Sequence, residues 1–184
     1  MWQNFYQLVT QPPATNQQPL NGDAAYYVLV EAMGASQDQL EIILEQALEA
    51  TLITDAVVSQ SSQQADQLWA LRDDVAQTFQ FAPVFLFDVS LRLSEMAGYV
   101  DAVNAGLSAR FDAPKNFVLG HVGDGNLHFA IAVGGDGPAQ RKGVEAAVYE
   151  PLKAIGGSVS AEHGVGLEKK PYLHFVRDDA EIQL

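Results

Sequence analysis

The stretch GHVGDGNLH at residues 120–128 predicts a β-hairpin that carries two histidines. Asp124 and Gly125 are typical of a two-residue type I′ turn, because an Asp-Gly pair tolerates the positive φ that both turn positions require. With these two residues as the loop, His121 lies opposite His128, and directly opposed Cβ atoms are about 4.5–5.5 Å apart. Two imidazoles at this spacing can bind one metal ion.

The strand after the turn, residues 127–133, has two unlike faces. Alternate residues of a strand point to opposite sides of its sheet. Phe129, Ile131 and Val133 therefore share one face, and His128 lies on the other face with small alanines. We expect the bulky face to pack in the core and the alanine face to leave room beside the histidine.

A second glycine-rich stretch, SAEHGVG at residues 160–166, offers the groups that the hairpin lacks. Zinc and similar ions usually take a third protein ligand, often a carboxylate, and keep one position open when the site is catalytic. Glu162 can supply that carboxylate. Its neighbour His163 can then accept a proton if its pKa lies near the operating pH. The alternative is that Glu162 and His163 only orient a glycine-rich loop.

Both stretches resemble signature motifs of the C-terminal, substrate-side domain of FAD-linked oxidases and dehydrogenases of D-2-hydroxy acids. This group includes D-lactate dehydrogenase, D-2-hydroxyglutarate dehydrogenase and the glycolate oxidase flavoprotein. The resemblance covers most of the chain. Three more segments are similar to the family's first cap strand, its helix with a tryptophan and an arginine, and its central strand: YYVLVE at 26–31, LWALRD at 68–73 and DVSL at 88–91.

The resemblance implies a role for each residue that matches the motifs. The implied metal ligands are His121, His128 and Glu162. The implied catalytic base is His163, and the implied substrate-binding residues are Arg72 and Asn126. The implied metal is a divalent ion, with zinc as the first candidate. Arg72 would pair with the substrate carboxylate, and His163 would remove the hydroxyl proton while a hydride passes to FAD.

The FAD of the resembled enzymes is bound by a separate N-terminal domain, and no segment of this chain is similar to it. The glycine cluster at residues 134–137 lacks the strand-turn-helix fingerprint of dinucleotide sites. We therefore expect residues 1–184 to be the C-terminal substrate- and metal-binding domain of a larger flavoenzyme, with the FAD-binding domain absent. On its own the chain is expected to carry no flavin and to be inactive. The resemblance does not identify the electron acceptor.

Two positions depart from the family pattern. Leu86 stands where many relatives have a lysine, and Arg92 stands where they have a proline. Because one cation is lost, we expect a preference for a 2-hydroxy acid with a short or apolar tail over one with a second carboxylate. Lys169 and Lys170 either add positive charge near the Glu-His loop or form a solvated pair, and His174 is assigned to the surface.

Composition limits the classes of partner. The chain has 10 Lys and Arg against 23 Asp and Glu, a formal net charge of −13, and no cysteine. Such a surface repels phosphate backbones and anionic lipid, so nucleic acid is an unexpected partner. No apolar run approaches membrane-spanning length. These features predict a soluble, cytoplasmic domain. Its expected partners are a small 2-hydroxy acid and the FAD domain of the same full-length protein, and the sequence is compatible with a homodimer.

Alternating elements predict an α+β fold: a ferredoxin-like antiparallel sheet with helices mainly on one face, built from two βαβ-like halves around one core. In the first half we expect strands at 26–31 and 55–58, a helix opened by a capping box of Ser36 and Gln39, and a helix over 62–79. In the second half we expect a strand at 84–89, a helix from Ser94, the histidine hairpin, and a helix over 137–155 bent at Pro151.

Two other classes of function fit the same residues. In a stand-alone metallohydrolase the same ligands would activate water and His163 would shuttle protons, which predicts turnover without flavin. In a non-catalytic ligand-binding module the sheet would serve regulation or assembly, which predicts binding without turnover.

Overall fold

A computed structural model describes residues 1–34 and 36–183 of the chain. The chain divides into two compact units, Met1–Gln77 and Thr78–Leu184. The first unit contains three helices: α1 (Gln3–Thr10), α2 (Gln37–Glu49) and α3 (Ser62–Asp73). A 3₁₀ helix, Val75–Phe81, follows α3.

The second unit contains the strands. Its elements are, in order, β1 (Phe85–Ser90), α4 (Met96–Ser108), β2 (Lys115–His121), β3 (Asn126–Ala132), α5 (Pro138–Tyr149), α6 (Leu152–Ile155), α7 (Gly166–Lys169) and α8 (Asp179–Gln183). Short 3₁₀ helices lie at Leu93–Glu95, Val122–Asp124 and Lys170–Phe175. None of the helices in the described ranges is long and apolar enough to cross a bilayer.

The described residues of the first unit do not form the strands that the sequence predicted. In the described part of the chain, residues 26–31 and 55–58 form no ladder beyond a single bridge between Trp2 and Tyr26. The backbone there pairs with the chain start instead, since the N–H of Gln3 donates to Ala25 and the N–H of Tyr27 donates to Met1. An alternating pattern predicts extended backbone, but a strand also needs a neighbouring strand to pair with. The expected first βαβ-like half is therefore not formed by the described residues of the first unit.

Helix starts in the first unit were predicted better than helix ends. The capping box is present at the start of α2: the Ser36 side chain accepts from the Gln39 N–H, and the Gln39 side chain accepts from the Ser36 N–H. The helix expected over 62–79 ends as an α-helix at Asp73 and continues as 3₁₀ from Val75.

The α+β class is confirmed, with one antiparallel sheet in the second unit. The strand order is β1-β3-β2, and β3 pairs antiparallel with both neighbours. Strand β1 is thus parallel to β2, with α4 as the crossover, and β3 inserts between them as in a split βαβ unit. On the outer side of β1, Ser90 exchanges backbone hydrogen bonds with Ser158, at 3.1 and 2.7 Å, in the position of a fourth strand.

The two faces of this sheet have different neighbours. On one face Phe129 contacts Tyr99 of α4 and Phe87 contacts Tyr149 of α5, both edge to face, with ring centroids 5.8 and 5.5 Å apart. The predicted core face of β3 is therefore the face that the helices cover. The predicted bend at Pro151 separates α5 from α6. The opposite face carries His128 and the polar residues described below.

The hairpin has a longer loop than predicted. His121 pairs with Asn126, so the loop is the four residues 122–125. The Gly125 N–H donates to the Val122 carbonyl at 3.2 Å, and Gly125 has φ +68. A type I′ turn would require a positive φ at Asp124 as well, but only the glycine adopts it. The register therefore differs from the predicted one by two residues, which leaves His121 and His128 on the same face as diagonal neighbours.

Candidate metal centre

Three side chains of the second unit converge on one point. His121 Nε2 lies 3.4 Å from Glu162 Oε1, and His128 Nε2 lies 3.9 Å from the same oxygen. One ligand atom from each residue lies within 4.8 Å of the other two. The structure thus brings together the three residues that the sequence proposed as metal ligands, and their role as ligands stays a prediction.

The spacing and chemistry of these atoms fit a divalent metal. Zinc binds imidazole nitrogen and carboxylate oxygen at about 2.0–2.2 Å, so ligand atoms around a tetrahedral ion lie about 3.3 Å apart. The His121–Glu162 distance matches this value, and His128 needs only a small movement. Two imidazoles and one carboxylate are a donor set for zinc and similar ions that leaves a coordination position open.

The surroundings of His128 favour its neutral imidazole. It lies on β3 directly between Asp88 of β1 and Leu119 of β2, and its side chain is 19% exposed. Burial lowers the pKa of His128, although the nearby Glu162 carboxylate opposes this effect. A lower pKa favours the neutral imidazole, which is the form that binds metals.

Asn126 orients the carboxylate of Glu162. Its Nδ2 donates to Glu162 Oε1 at 2.5 Å and lies 3.5 Å from His128 Nε2. The Asn126 side chain is buried, and its Oδ1 has no hydrogen-bond partner among the described residues. The sequence proposed Asn126 as a substrate-binding residue. The geometry gives it contacts with two of the three proposed ligand side chains, Glu162 and His128.

Asp88 organises the loop that carries Glu162 and His163. Its Oδ2 accepts hydrogen bonds from three successive backbone N–H groups, those of Ala161, Glu162 and His163, at 2.9, 2.7 and 3.0 Å. Burial alone would raise the pKa of Asp88, but the Lys169 ammonium and these N–H groups outweigh it and lower the pKa to about 2. Asp88 is therefore a buried carboxylate anion.

Lys169 is the cation that pairs with this anion. Its Nζ contacts Asp88 Oδ1 and donates to Ser160 Oγ at 2.9 Å, and its side chain is only 12% exposed. Ser160 Oγ in turn donates to the Gly164 carbonyl at 2.8 Å. The sequence left open whether Lys169 and Lys170 add positive charge near the Glu-His loop or form a solvated pair. Lys169 adds charge beside the loop, and Lys170 is exposed to solvent.

His163 is the most accessible of the four residues at the centre. Its side chain is 63% exposed, its Nδ1 lies 3.4 Å from Asp88 Oδ1, and its ring centroid lies 5.8 Å from that of His128. A carboxylate beside Nδ1 favours the tautomer with the proton on that nitrogen. Nε2 is then the basic nitrogen, as a general base requires.

Arg72 lies on α3 of the first unit, where it pairs with Asp73 at 2.9 Å. In the second unit, Leu86 lies on the same face of β1 as Asp88 and is 55% exposed. Arg92 is exposed and contacts Glu95 at 3.5 Å. The role of Arg72 in binding the substrate carboxylate stays a prediction.

Sequence reasoning did not assign a role to Asp88, although a signal was present. The segment VFLFDV at residues 84–89 is an apolar strand interrupted by one carboxylate. A charge inside such a strand is costly to bury unless it is paired, so it indicates a partner elsewhere in the chain. The partner, Lys169, is 81 residues away, and its identity required the fold.

Curated relatives of this chain are named as D-2-hydroxy acid enzymes. The D-2-hydroxyglutarate–pyruvate transhydrogenase of Saccharomyces cerevisiae is 34% identical over 177 residues, 90% of this chain and 36% of the relative. A Schizosaccharomyces pombe protein named provisionally as a mitochondrial D-lactate dehydrogenase is 33% identical over 195 residues, covering 98% and 37%. The D-2-hydroxyglutarate dehydrogenase of Stutzerimonas stutzeri is 31% identical over 175 residues, covering 90% and 37%.

The family profile matches the whole chain, whereas the alignment with each relative covers only part of that relative's length. The chain spans little more than a third of the length of these relatives. The sequence profile described as "FAD linked oxidases, C-terminal domain" matches residues 1–184. Both histidines of the hairpin, the Glu-His loop and the strand with Asp88 lie within this match. The chain belongs to the family of FAD-linked oxidase C-terminal domains.

Proposed function

We propose that this chain is the substrate- and metal-binding part of an FAD-dependent dehydrogenase or oxidase of D-2-hydroxy acids. The observation that carries the proposal is the convergence of His121, His128 and Glu162 beside His163. Relatives named for D-2-hydroxyglutarate and D-lactate support the same substrate class. A divalent metal bound by the three ligands would act as a Lewis acid toward the substrate's hydroxyl oxygen.

The residues around this point divide the work of binding and proton transfer. His121, His128 and Glu162 would hold the metal, and Asn126 would keep the Glu162 carboxylate in place through its 2.5 Å hydrogen bond. His163 would accept the hydroxyl proton at Nε2, because Asp88 lies next to its other ring nitrogen.

We assign FAD to a separate domain of the full-length protein. The glycine cluster at residues 134–137 connects β3 to α5, and it does not follow the spacing of dinucleotide-binding turns. The redox step belongs to the flavin, and the residues of this chain supply binding and orientation.

For the substrate we propose a 2-hydroxy acid, and the pairing of its carboxylate with Arg72 stays a prediction from the family resemblance. Leu86 gives the site face of β1 an exposed apolar side chain where a cation would favour a second carboxylate. A short or apolar tail is therefore the expected preference, although two of the relatives are named for a dicarboxylate. The measurement is the ratio of kcat/KM for D-lactate to that for D-2-hydroxyglutarate in the full-length protein.

Zinc titration of the 184-residue chain tests the metal site directly. We expect one ion to bind, and we expect His121→Ala to weaken binding at least tenfold, because a protein ligand is lost. His174→Ala is the matched control, since His174 is exposed on the 3₁₀ helix Lys170–Phe175. Equal affinity for both variants would refute the assignment of the ligands.

Two activity assays separate the proposal from its alternatives. A metallohydrolase would hydrolyse ester or amide substrates with zinc and without flavin. A non-catalytic module would bind 2-hydroxy acids without turnover even in a full-length protein loaded with FAD. The proposed dehydrogenase requires FAD and reduces it when a D-2-hydroxy acid is added.

A further inference from the structure

Asp88 contacts both the backbone of the Glu-His loop and the side chain of its histidine. One carboxylate oxygen accepts three loop N–H groups, and the other faces Lys169 Nζ and His163 Nδ1. We propose that Asp88 and Lys169 are positioning residues that fix the metal ligand Glu162 and the base His163 in their working geometry. This inference rests on the function proposed above.

The contacts of Asp88 tie two elements that are distant in sequence. Asp88 lies on β1, and the loop follows the Ser158 bridge 70 residues later. Hydrogen bonds to three successive residues leave the loop backbone little freedom to rotate. The Cα positions of Glu162 and His163 are thereby set by a strand of the sheet that also carries His128.

Lys169 makes this arrangement possible. A buried carboxylate is stable only when its charge is paired and its oxygens are hydrogen-bonded. Lys169 supplies the charge, and its bond to Ser160 Oγ also supports the turn that closes on Gly164. Removing Lys169 would leave Asp88 partly unpaired and would loosen the loop from both sides.

The role of Asp88 is separable from the folding of β1. Phe87 and Val89, on either side of it, are buried on the helix-covered face and hold the strand in the sheet. Asp88 points to the opposite face, towards the metal centre. Substituting its carboxylate is therefore expected to disturb the loop more than the sheet.

Four variants and two controls test the proposal by zinc titration of the 184-residue chain. We expect Asp88→Asn and Lys169→Met each to weaken zinc binding about 10–100-fold, the usual cost of removing a group that orients a ligand. The double variant should lose less than the product of the two single losses, because both remove the same interaction. Lys169→Arg should restore most of the affinity. Asp112→Asn and Lys170→Met, both at exposed positions, should bind zinc like the wild-type chain.

A second measurement needs no metal. In the wild-type chain, ¹⁵N NMR should show the His163 imidazole with its proton on Nδ1, and the 161–163 amides should exchange slowly with solvent. In Asp88→Asn the Nε2-protonated tautomer should increase and the three amides should lose protection. If Asp88 only stabilised the sheet, its substitution would not change the tautomer of the exposed His163 imidazole.

The outcomes separate this inference from the proposed function. If wild-type chain fails to bind zinc but Asp88→Asn changes the His163 tautomer and the loop amides, the metal site is wrong and the positioning role stands. If wild-type chain binds zinc and both variants match it in affinity and in the NMR signals, the inference is overturned. If Asp88→Asn does not fold, the lysine variants decide: loss with Met and retention with Arg supports the inference, and equal affinity rejects it.

Discussion

Glu162 and His163 are adjacent in sequence, yet their side chains have different partners. Glu162 faces His121 and His128 and accepts from Asn126, whereas His163 lies beside Asp88 and is largely exposed. A ligand and a base should fail in different ways when they are substituted. This difference gives the most direct test of the roles at the scale of single residues.

In the full-length protein, His163→Asn should lower kcat by about 10²–10⁴-fold, the usual contribution of a general base, with metal content nearly unchanged. Glu162→Gln should instead reduce metal retention, because a charged ligand is lost. Metal analysis of the purified variants and steady-state rates measure both effects. If His163→Asn strips the metal and Glu162→Gln does not, the two roles are reversed.

The ionised state of Asp88 predicts how stability depends on pH. Its pKa is about 2 in the folded chain against an ordinary value of 3.8, so its stabilising effect is complete above about pH 4 and is lost as pH falls towards 2. The loss amounts to at most about 2 kcal/mol. Urea unfolding between pH 4.5 and 2 should show a weaker pH dependence for Asp88→Asn than for the control Asp112→Asn. Identical slopes would contradict the prediction.

At the scale of elements, the hairpin shows how far local sequence rules reach. The turn pair and the alternation of residues placed the hairpin correctly and put His121 and His128 on one face. The register was wrong by two residues, because the observed four-residue loop has a positive φ at Gly125 but not at Asp124. Since strand side chains alternate with period two, an error of two residues preserved the site.

Gly125 is the residue whose conformation sets that loop. A Cβ at this position would overlap the Leu91 carbonyl oxygen and would require a positive φ. Gly125→Ala should therefore destabilise the chain by at least about 1–2 kcal/mol, the cost of a left-handed alanine alone. Gly123→Ala is the matched control, because its Cβ would have no atom within 4 Å, and its stability should be unchanged or slightly higher. Urea unfolding distinguishes the two, and similar values would argue against this loop geometry.

At the scale of the whole molecule, the sequence predicted the sheet of the second unit and not the arrangement of the first. The second unit has strong local signals: apolar alternation, a proline break at Pro151 and a turn motif. The first unit has the expected capping box, but α2 buries none of its residues, and the two predicted strands have no ladder partners among the described residues. Pairing between distant segments depends on tertiary contacts, which a local pattern does not contain.

Metal binding should stabilise the folded chain, because the three proposed ligands come from β2, β3 and the Glu-His loop. An ion that binds only the folded state adds about 2.7 kcal/mol at a free concentration of 100 Kd. At about 2–4 °C per kcal/mol for a chain of this size, Tm should rise by roughly 5–10 °C. Calorimetry with zinc, and again after adding a chelator, measures the rise and its reversal. The Tm of His121→Ala should neither rise with zinc nor fall with the chelator. If the Tm of the wild-type chain does not change at saturating zinc, these three residues do not bind the ion in the folded chain.

The backbone of the Glu-His loop has one more consequence for anion recognition. Three successive N–H groups that point into one concavity form a nest, a common receptor for phosphate and carboxylate groups. Here the nest is filled by an anion of the protein itself, the side chain of Asp88. A carboxylate ligand therefore finds no free backbone donors at residues 161–163. In a chain of net charge −13, the 2-hydroxy acid proposed above would need a metal ion or an arginine or lysine side chain to neutralise its carboxylate.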